Sequence, residues 1–321
     1  MRAITYQRYG SPDVLELVEV AKPAPKPDEV VVRVHAASVN PLDWHFMRGS
    51  PAPVRLMTGL FRPRDGRLGR DLSGVVEAVG AQVTGFQEGQ EVFGAAPGAL
   101  AEFVAARADR LVSKPGRISF EQAAAAPVAG LTALQALRDK AGLRPEQKVL
   151  VIGAAGGVGT FAVQIAKATG AAVTGVCSSR NVEMVASLGA ERVVDYTRED
   201  FAKGEWRYDV ILDCIGDRSL SDYRRAMTTG GVHVGVGGSG GTVKMVLDFL
   251  KVRAVSPFVS QRFVSFIASL NAEDLDVLAK LMEDGKVTPV IDRSYPLERT
   301  EDAIRHVETG HARGKVLVAI G

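Results

Sequence analysis

The chain has 321 residues, of which 46% are hydrophobic and 24% charged, so it is long enough for two globular domains with substantial cores. Its 39 basic and 37 acidic residues nearly cancel, and no block of like charge predicts a nucleic-acid partner. Two cysteines exclude a disulfide scaffold, and the N-terminus has no signal-peptide pattern, so we expect a cytoplasmic protein.

The first 120 residues are predicted to be rich in β-structure. Short β-branched runs between glycines and prolines predict strands over residues 14–20, 30–36, 73–79, 91–94 and 100–104. Residues 54–61 have apolar side chains at near-helical spacing, which favours either a flap over a hydrophobic substrate or packing on the domain body. The arginine-rich stretch 62–70 also contains acids and is interpreted as a solvated loop.

After residue 120 the pattern changes to alternating strands and helices. Ser119 and Gln122 have the spacing of a capping box before an alanine-rich helix, which Pro127 interrupts before a second helix over 131–141. Strands are predicted over 149–153, 172–177, 192–195, 210–214 and 232–236, which indicates a doubly wound parallel sheet. The uncharged stretch 149–166 is therefore a buried strand and helix and not a membrane span. Further on we expect helices over 243–250 and 274–283 and strands over 252–255 and 315–320.

The sharpest motif lies between the predicted strand 149–153 and the helix that follows it. Residues 154–159, AAGGVG, have the spacing of a dinucleotide-binding turn, with alanine at the first glycine position. The second glycine lets a pyrophosphate approach the backbone, and the third lets the helix pack closely on the strand. The residues predicted to bind the pyrophosphate are Ala155, Gly156, Gly157, Val158 and Gly159.

The end of the second strand indicates which dinucleotide is bound. An NAD site usually has an acidic residue there, but this chain has Ser178, Ser179 and Arg180, with no acid until Glu183. Two hydroxyls and a guanidinium suit the 2′-phosphate of NADPH, and Tyr196 is expected to close over it. A solvated cation at a helix start is the alternative for Arg180, but the missing acid favours NADPH under either interpretation.

The segment from Leu150 to Lys167 resembles the signature of the zinc-free quinone oxidoreductase/zeta-crystallin family of the medium-chain dehydrogenase/reductase superfamily. Residues 37–43 (ASVNPLD), 129–133 (AGLTA) and 311–315 (HARGK) resemble other segments of that family, so the likeness covers nearly the whole chain. The resemblance implies an α/β protein: a GroES-like β domain over residues 1–120, completed by 265–321, and a Rossmann NADPH-binding domain over 121–264. It also implies a homodimer.

Zinc-binding relatives in this superfamily provide cysteine, histidine and acidic ligands, and many add a four-cysteine lobe. This chain has Asn40 and Asp43 where the first cysteine region falls, and residues 69–71 (GRD) where a Gly-His-Glu falls. Both of its cysteines lie in the Rossmann half. We therefore expect no bound metal.

The resemblance implies transfer of hydride from NADPH to a quinone or an α,β-unsaturated carbonyl, a small hydrophobic substrate whose conjugated carbonyl spreads negative charge without a metal. It implies that Asn40 positions the nicotinamide ribose and that Thr132 lies against the ring. It places His45 where it would donate a hydrogen bond or a proton to the substrate, although His45 is alternatively a packing histidine. Asp43 either orients His45 or bonds local backbone.

The remaining cofactor-binding candidates follow strand ends or resemble family segments. They are Cys214, Ile215, Gly216, Gly235, Val236, Arg313 and Lys315. Cys214 is interpreted as structural because nothing basic adjoins it. Two other functions stay open. One is an enoyl-thioester reductase, which would need a basic entrance groove. The other is a non-catalytic NADPH-binding protein of crystallin or regulatory type, which would bind NADPH but pass its hydride to none of the acceptors.

Overall fold

The computed structural model describes residues 1–236 and 259–321. The predicted helix 243–250 and strand 252–255 lie outside these residues. The chain forms two compact units: residues 1–131, 270–285 and 289–321 make the first, and residues 132–269 and 286–288 make the second. The predicted domain boundaries follow residues 120 and 264, whereas the first unit continues to Leu131 because the helix after Ser119 packs on its sheet.

The elements up to the end of the alanine-rich region are β1 (Arg2–Thr5), β2 (Glu16–Glu19), β3 (Glu29–Val39), α1 (Pro41–Arg48), α2 (Val54–Thr58), β4 (Asp71–Val79), β5 (Glu91–Ala95), β6 (Phe103–Arg107), β7 (Leu111–Ser113), α3 (Phe120–Ala125) and α4 (Pro127–Gln135). They are followed by β8 (Lys148–Ile152), α5 (Gly157–Ala168), β9 (Ala172–Cys177), α6 (Val182–Ser187), β10 (Arg192–Asp195), β11 (Tyr208–Asp213), α7 (Leu220–Ala226), β12 (Met227–Gly235), β13 (Arg262–Ser265), α8 (Ala272–Glu283), β14 (Ile291–Pro296), α9 (Thr300–Glu308) and β15 (Lys315–Ala319).

Local sequence explains most of these boundaries. The backbone N–H of Gln122 donates to Ser119 Oγ (3.2 Å) and that of Ser119 donates to Gln122 Oε1 (3.0 Å), so the predicted capping box starts α3. The helix predicted from residue 131 starts instead at Pro127, because proline fits the first turn of a helix. The strand predicted over 100–104 is wrong in position, because β6 begins at Phe103. The carbonyl of Leu100 instead accepts a hydrogen bond from the N–H of Ile4 in β1.

The first unit is built on a seven-stranded sheet with the order β14-β15-β3-β4-β5-β7, in which β6 also pairs with β3. Only β14 and β15 run parallel; the other pairs are antiparallel. The C-terminal strand β15 lies beside β3, with Val316 opposite Val39. Residues at the start of β15 are therefore close to those that follow β3, although more than half of the chain separates them in sequence.

The second unit is a doubly wound sheet of six parallel strands with the order β10-β9-β8-β11-β12-β13. The order reverses at β8, which has the earlier pair β9 and β10 on one side and the later strands on the other. In such sheets, ligands bind outside the carboxyl ends of the strands at this reversal. The predicted fold class, a β domain with a Rossmann domain, is confirmed.

The predicted strand and helix over residues 149–166 are also confirmed, as β8 and most of α5. Eight consecutive residues of α5 are buried, from Gly159 to Ala166, which explains the lack of charge in this stretch. Across residues 1–236 and 259–321, no helix combines the length and the apolar character that crossing a bilayer requires.

Candidate functional site

The turn between β8 and α5 leaves hydrogen-bond donors open at the carboxyl edge of the parallel sheet. Gly153 has a φ of 77°, and Gly156 caps the helix in an extended conformation. The first helical bond of α5 runs from the N–H of Thr160 to the carbonyl of Gly156 (3.0 Å). The N–H groups of residues 157–159 precede that bond and lie at the positive end of a 12-residue helix, where an anion is stabilised.

Two glycines of this turn have different physical reasons to be glycine. A Cβ added at Gly159 would lie 2.1 Å from the carbonyl oxygen of Gly153 and 2.7 Å from Cα of Ala154, so the packing of helix on strand requires hydrogen there. A Cβ at Gly156 would meet only the Gly153 oxygen, at 3.5 Å. The open space beside Gly156 is the space that a closely approaching phosphate needs.

The predicted residues for the adenosine phosphate follow β9 and β10 at the same edge of the sheet. Ser178 is half-buried and accepts a hydrogen bond from Asn181 Nδ2 (3.3 Å), while Ser179 and Arg180 are exposed in a short helical turn. Tyr196 follows β10 with about half of its surface exposed. These four side chains are accessible from the carboxyl end of the sheet.

Asp195 is a further residue at this edge, and sequence reasoning missed it. The Ser179 hydroxyl donates to Asp195 Oδ2 (2.5 Å), and the Thr197 hydroxyl and N–H donate to Oδ1 (2.7 and 3.0 Å). The hydrogen bond from Ser179, aided by those from Thr197, lowers the pKa of Asp195, so the carboxylate is charged. An acid was expected at the end of the second strand, whereas Asp195 ends the neighbouring strand, opposite Cys177.

The turn 214–216 after β11 is held by Asp213, a second residue that sequence reasoning missed. Asp213 Oδ1 accepts from the N–H groups of Ile215 and Gly216 (2.9 Å each), and Oδ2 accepts from the Tyr223 hydroxyl (2.5 Å). Burial opposes charge on Asp213, but these bonds and the nearby His233 keep its pKa below the usual value. The sequence could have indicated this role, because Asp213 is an acid at the end of a buried strand, just before the turn that contains Ile215 and Gly216.

The other candidates of the second unit lie close to this turn or on α4. Burial raises the pKa of the Cys214 thiol, which agrees with a structural role. Gly235 and Val236 are half-buried at the end of β12, and the N–H of Val236 donates to the carbonyl of Asp213 (2.9 Å). Thr132 is half-buried on α4.

In the first unit, Asn40 belongs to a buried polar cluster made by the ends of β3, β4 and β15. Lys315 Nζ donates to Asn40 Oδ1 (2.5 Å) and lies 3.3 Å from Asp71 Oδ2. Asp71 Oδ2 also accepts from Asn40 Nδ2 (2.9 Å) and the Ser38 hydroxyl (2.7 Å). All four side chains are at most 3% exposed, so the amide orientation of Asn40 is fixed from both ends. Lys315, predicted as a cofactor ligand, uses its ammonium here.

Asp43 and His45 both lie on α1, but their side chains are not hydrogen-bonded to each other. Asp43 accepts from the N–H groups of Asn40 (2.7 Å) and Gly69 (3.1 Å), which is the backbone alternative for this residue. His45 is half-exposed, and its Nδ1 lies 2.7 Å from the carbonyl of Ser50. Arg313 is exposed, and its N–H donates to Asp292 (3.1 Å).

Asp43 should make the stability of the protein depend on pH. Complete burial raises its pKa from 3.8 to about 6, against the two backbone hydrogen bonds, so the folded protein holds a proton that the unfolded chain has lost. The contribution of this carboxyl group to stability is complete below about pH 4 and is lost as the pH rises through about 6. The free energy of unfolding should fall by up to about 3 kcal/mol over this range. Urea unfolding at a series of pH values measures this fall. The free energy of unfolding of Asp43→Asn should decline with pH by about 3 kcal/mol less than that of the wild type.

Asp109→Asn is the control for that comparison, because Asp109 is exposed and its pKa is lowered by the Arg107 side chain. Its removal should make the decline of the free energy of unfolding with pH slightly larger, whereas the removal of Asp43 makes it smaller. Equal slopes for the wild type and Asp43→Asn would show that the buried carboxyl is ionised throughout.

Comparisons with known proteins agree with this architecture. The family described as "Zinc-binding dehydrogenase" matches residues 188–318, and the "Alcohol dehydrogenase GroES-like domain" matches residues 26–116. The chain is 36% identical over 335 residues to the chloroplast envelope quinone oxidoreductase homolog of Arabidopsis thaliana, covering 99% of this chain and 98% of that protein.

Two further proteins are similar over almost the whole chain. The 2-methylene-furan-3-one reductase of Solanum lycopersicum is 36% identical over 337 residues, covering 99% of this chain and 79% of that protein. The structure of Escherichia coli quinone oxidoreductase complexed with NADPH has a TM-score of 0.83 and 26% identity, covering 99% of this chain and all of that chain.

Proposed function

This chain belongs to the quinone oxidoreductase-like family of the medium-chain dehydrogenases/reductases, and from that premise we propose that it is an NADPH-dependent, zinc-independent reductase of quinones or α,β-unsaturated carbonyls. The observation that carries the proposal is the turn 153–159, with its open N–H groups and the space beside Gly156. Relatives named as quinone oxidoreductases and as a furanone reductase support the acceptor class.

NADPH would lie along the carboxyl edge of the parallel sheet. Residues 155–159 would hold the pyrophosphate through backbone N–H groups, and Ser178, Arg180 and Tyr196 would contact the 2′-phosphate. The turns 214–216 and 235–236 would pack on the cofactor. When bound, NADPH supplies the hydride that reduces the acceptor.

The side chains at the zinc-ligand positions do not fit zinc. Asp71 stands at the position of an acidic zinc ligand, but its carboxylate is paired with the ammonium of Lys315. Asn40 and Arg70 stand at the positions of the cysteine and histidine ligands and provide neither a thiolate nor an imidazole. Within residues 1–236 and 259–321, no three His, Cys, Asp or Glu side chains are grouped as a metal site. An acceptor whose conjugation already spreads negative charge suits such a site.

Of the predicted catalytic residues, His45 is the proposed donor of a hydrogen bond or proton to the substrate. Its Nδ1 contacts the Ser50 carbonyl, and within residues 1–236 and 259–321 its Nε2 has no hydrogen-bond partner. Lys315 and Asp71 hold the amide of Asn40 in place. One hydrogen of Asn40 Nδ2 is bonded to Asp71, and the second would donate to the nicotinamide ribose. Thr132 would lie against the ring. Asp43 would act only through the backbone of α1 and Gly69.

The test is oxidation of NADPH and NADH with a panel of a quinone, an enone, an enoyl thioester and an aldehyde. Turnover of the quinone or the enone with NADPH is the expected result. Turnover of the thioester alone would favour the enoyl reductase, and NADPH binding without turnover would favour a non-catalytic protein. Reduction of the aldehyde alone would contradict the argument about the acceptor.

The choice between NADPH and NADH depends on two opposing charges, Arg180 and Asp195. Arg180→Ala should lower the NADPH-to-NADH ratio of kcat/KM by roughly 10- to 100-fold, because a charge-assisted hydrogen bond to the 2′-phosphate is lost. Asp195→Asn should raise the same ratio, because a carboxylate beside Ser179 repels that phosphate. Steady-state kinetics with one acceptor measures both.

Arg207→Ala is the matched control, since it removes an exposed arginine just before β11, at the amino edge of the parallel sheet. The ratio should stay at the wild-type value. If the wild type prefers NADH and Asp195→Asn weakens NADH instead, Asp195 binds the ribose hydroxyls and the assignment of NADPH is wrong.

A further inference from the structure

The segment after α1 exposes an unusual group of large apolar side chains. Leu56 is 73% exposed, Met57 72%, Leu60 54% and Phe61 89%. The sequence allowed either a substrate flap or packing on the domain body, and these four side chains do not pack on the domain body. Four exposed apolar residues within six positions are a cluster of the kind that marks an interaction site on a protein surface.

The backbone that carries these side chains is well fixed. The Tyr9 hydroxyl is 2.7 Å from the Thr58 hydroxyl and donates to the carbonyl of Gly59 (2.5 Å). The N–H of Arg64 donates to the carbonyl of Thr58 (2.7 Å), and that of Gly59 to the carbonyl of Arg55 (2.8 Å). The polar groups of the turn are thus satisfied from within, which a segment entering a medium without water requires.

All the charged side chains within residues 54–64 are positive. Residues 54–64 contain three arginines and no acid, and the next acid, Asp65, pairs with Arg67. Arg62 and Arg64 are exposed, and neither forms an ion pair within residues 1–236 and 259–321. Both line a hollow of about 580 Å³ next to β1, which the apolar residues do not line.

We propose that Leu56, Met57, Leu60 and Phe61, with Arg62 and Arg64, form a docking surface for an anionic lipid bilayer. The six residues are called the apolar–basic patch. The apolar side chains enter the interfacial region and the two guanidinium groups contact lipid phosphates, which is the arrangement of interfacial membrane anchors. A lipophilic acceptor dissolved in the bilayer would then be near the protein.

The positive charge decides between a bilayer and other occupants. Two copies meeting through this patch about a two-fold axis would bring the arginines of each copy towards those of the other. A bound helix or peptide would need a groove, whereas these side chains project from the unit. A bilayer accepts projecting apolar groups and provides the opposite charge.

The experiment is sedimentation of the full chain with vesicles of phosphatidylcholine, with and without phosphatidylglycerol. The wild type should bind the anionic vesicles, and added salt should weaken the binding. Leu60→Ser/Phe61→Ser should lower the affinity at least about ten-fold. Arg62→Gln/Arg64→Gln should lower it about five-fold per arginine, and only on anionic vesicles.

Two control variants match these changes outside the patch. Ile267→Ser removes an apolar side chain that is 92% exposed, and Arg144→Gln/Arg207→Gln removes two exposed arginines. Both should bind vesicles like the wild type. The melting temperature of each variant, and its turnover of a water-soluble acceptor, should also equal those of the wild type.

The proposal would be overturned if the wild type bound neither kind of vesicle. It would also be overturned if the control variants lost as much affinity for anionic vesicles as the patch variants do. A change of oligomeric mass in Leu60→Ser/Phe61→Ser without vesicle binding would show that a second copy covers the patch. Reduced turnover of the water-soluble acceptor with vesicle binding intact would identify a substrate flap instead. The vesicle sedimentation itself needs no NADPH, so binding to vesicles can be measured even if the proposed reaction is wrong.

Discussion

Replacing Lys315 with methionine should lower the free energy of unfolding by about 3–5 kcal/mol. The substitution keeps most of the volume of the side chain but removes the cation, so Asp71 is left as an uncompensated buried carboxylate. It also removes the bond to Asn40 Oδ1, which helps to fix that amide. Urea unfolding at neutral pH measures the loss.

A second buried lysine provides the matched control. Lys114 Nζ is also buried and donates to the carbonyl of Ile118 (2.7 Å), but its partner Glu91 is half-exposed. Lys114→Met leaves a carboxylate that water can solvate, so its cost should be only about 1–2 kcal/mol. In Lys315→Met/Asp71→Asn the unpaired charge is absent, and part of the stability should return. A double variant no more stable than Lys315→Met would contradict the charge explanation.

Gly156→Ala and Gly159→Ala should separate cofactor binding from folding within one turn. The methyl group of Gly156→Ala points into open space, so the protein should unfold at the wild-type temperature while its Kd for NADPH rises at least about ten-fold. The methyl group of Gly159→Ala meets backbone at 2.1 Å, so this variant should lose about 3 kcal/mol of stability or more.

Thermal unfolding without cofactor and titration of NADPH fluorescence measure the two effects. Gly142→Ala is unsuitable as a control because its φ of 65° strains an alanine, whereas Gly116→Ala has open space and no such strain. Gly116→Ala should leave stability and affinity nearly unchanged. An unchanged NADPH affinity in Gly156→Ala would mean that the pyrophosphate does not approach this turn.

The sequence alone was sufficient for features that depend on neighbouring residues. The strands β9 and β10, the capping box at Ser119 and the turn before α5 lie where their patterns predict, because strand periodicity, capping and glycine spacing act over a few residues. The parallel sheet followed from the alternation of strands and helices. Weaker local patterns gave shifted boundaries, as at β6.

Only the tertiary structure could decide which polar side chains meet. Asp195 reaches Ser179 because β10 pairs with β9, and this pairing brings a carboxylate to an edge where the second strand alone offered none. Lys315 reaches Asn40 and Asp71 across 275 and 244 residues because β15 pairs with β3. Residues that far apart share no local pattern, so strand pairing, and not spacing along the chain, determines which charges surround Ser179 in the second unit and Asn40 in the first.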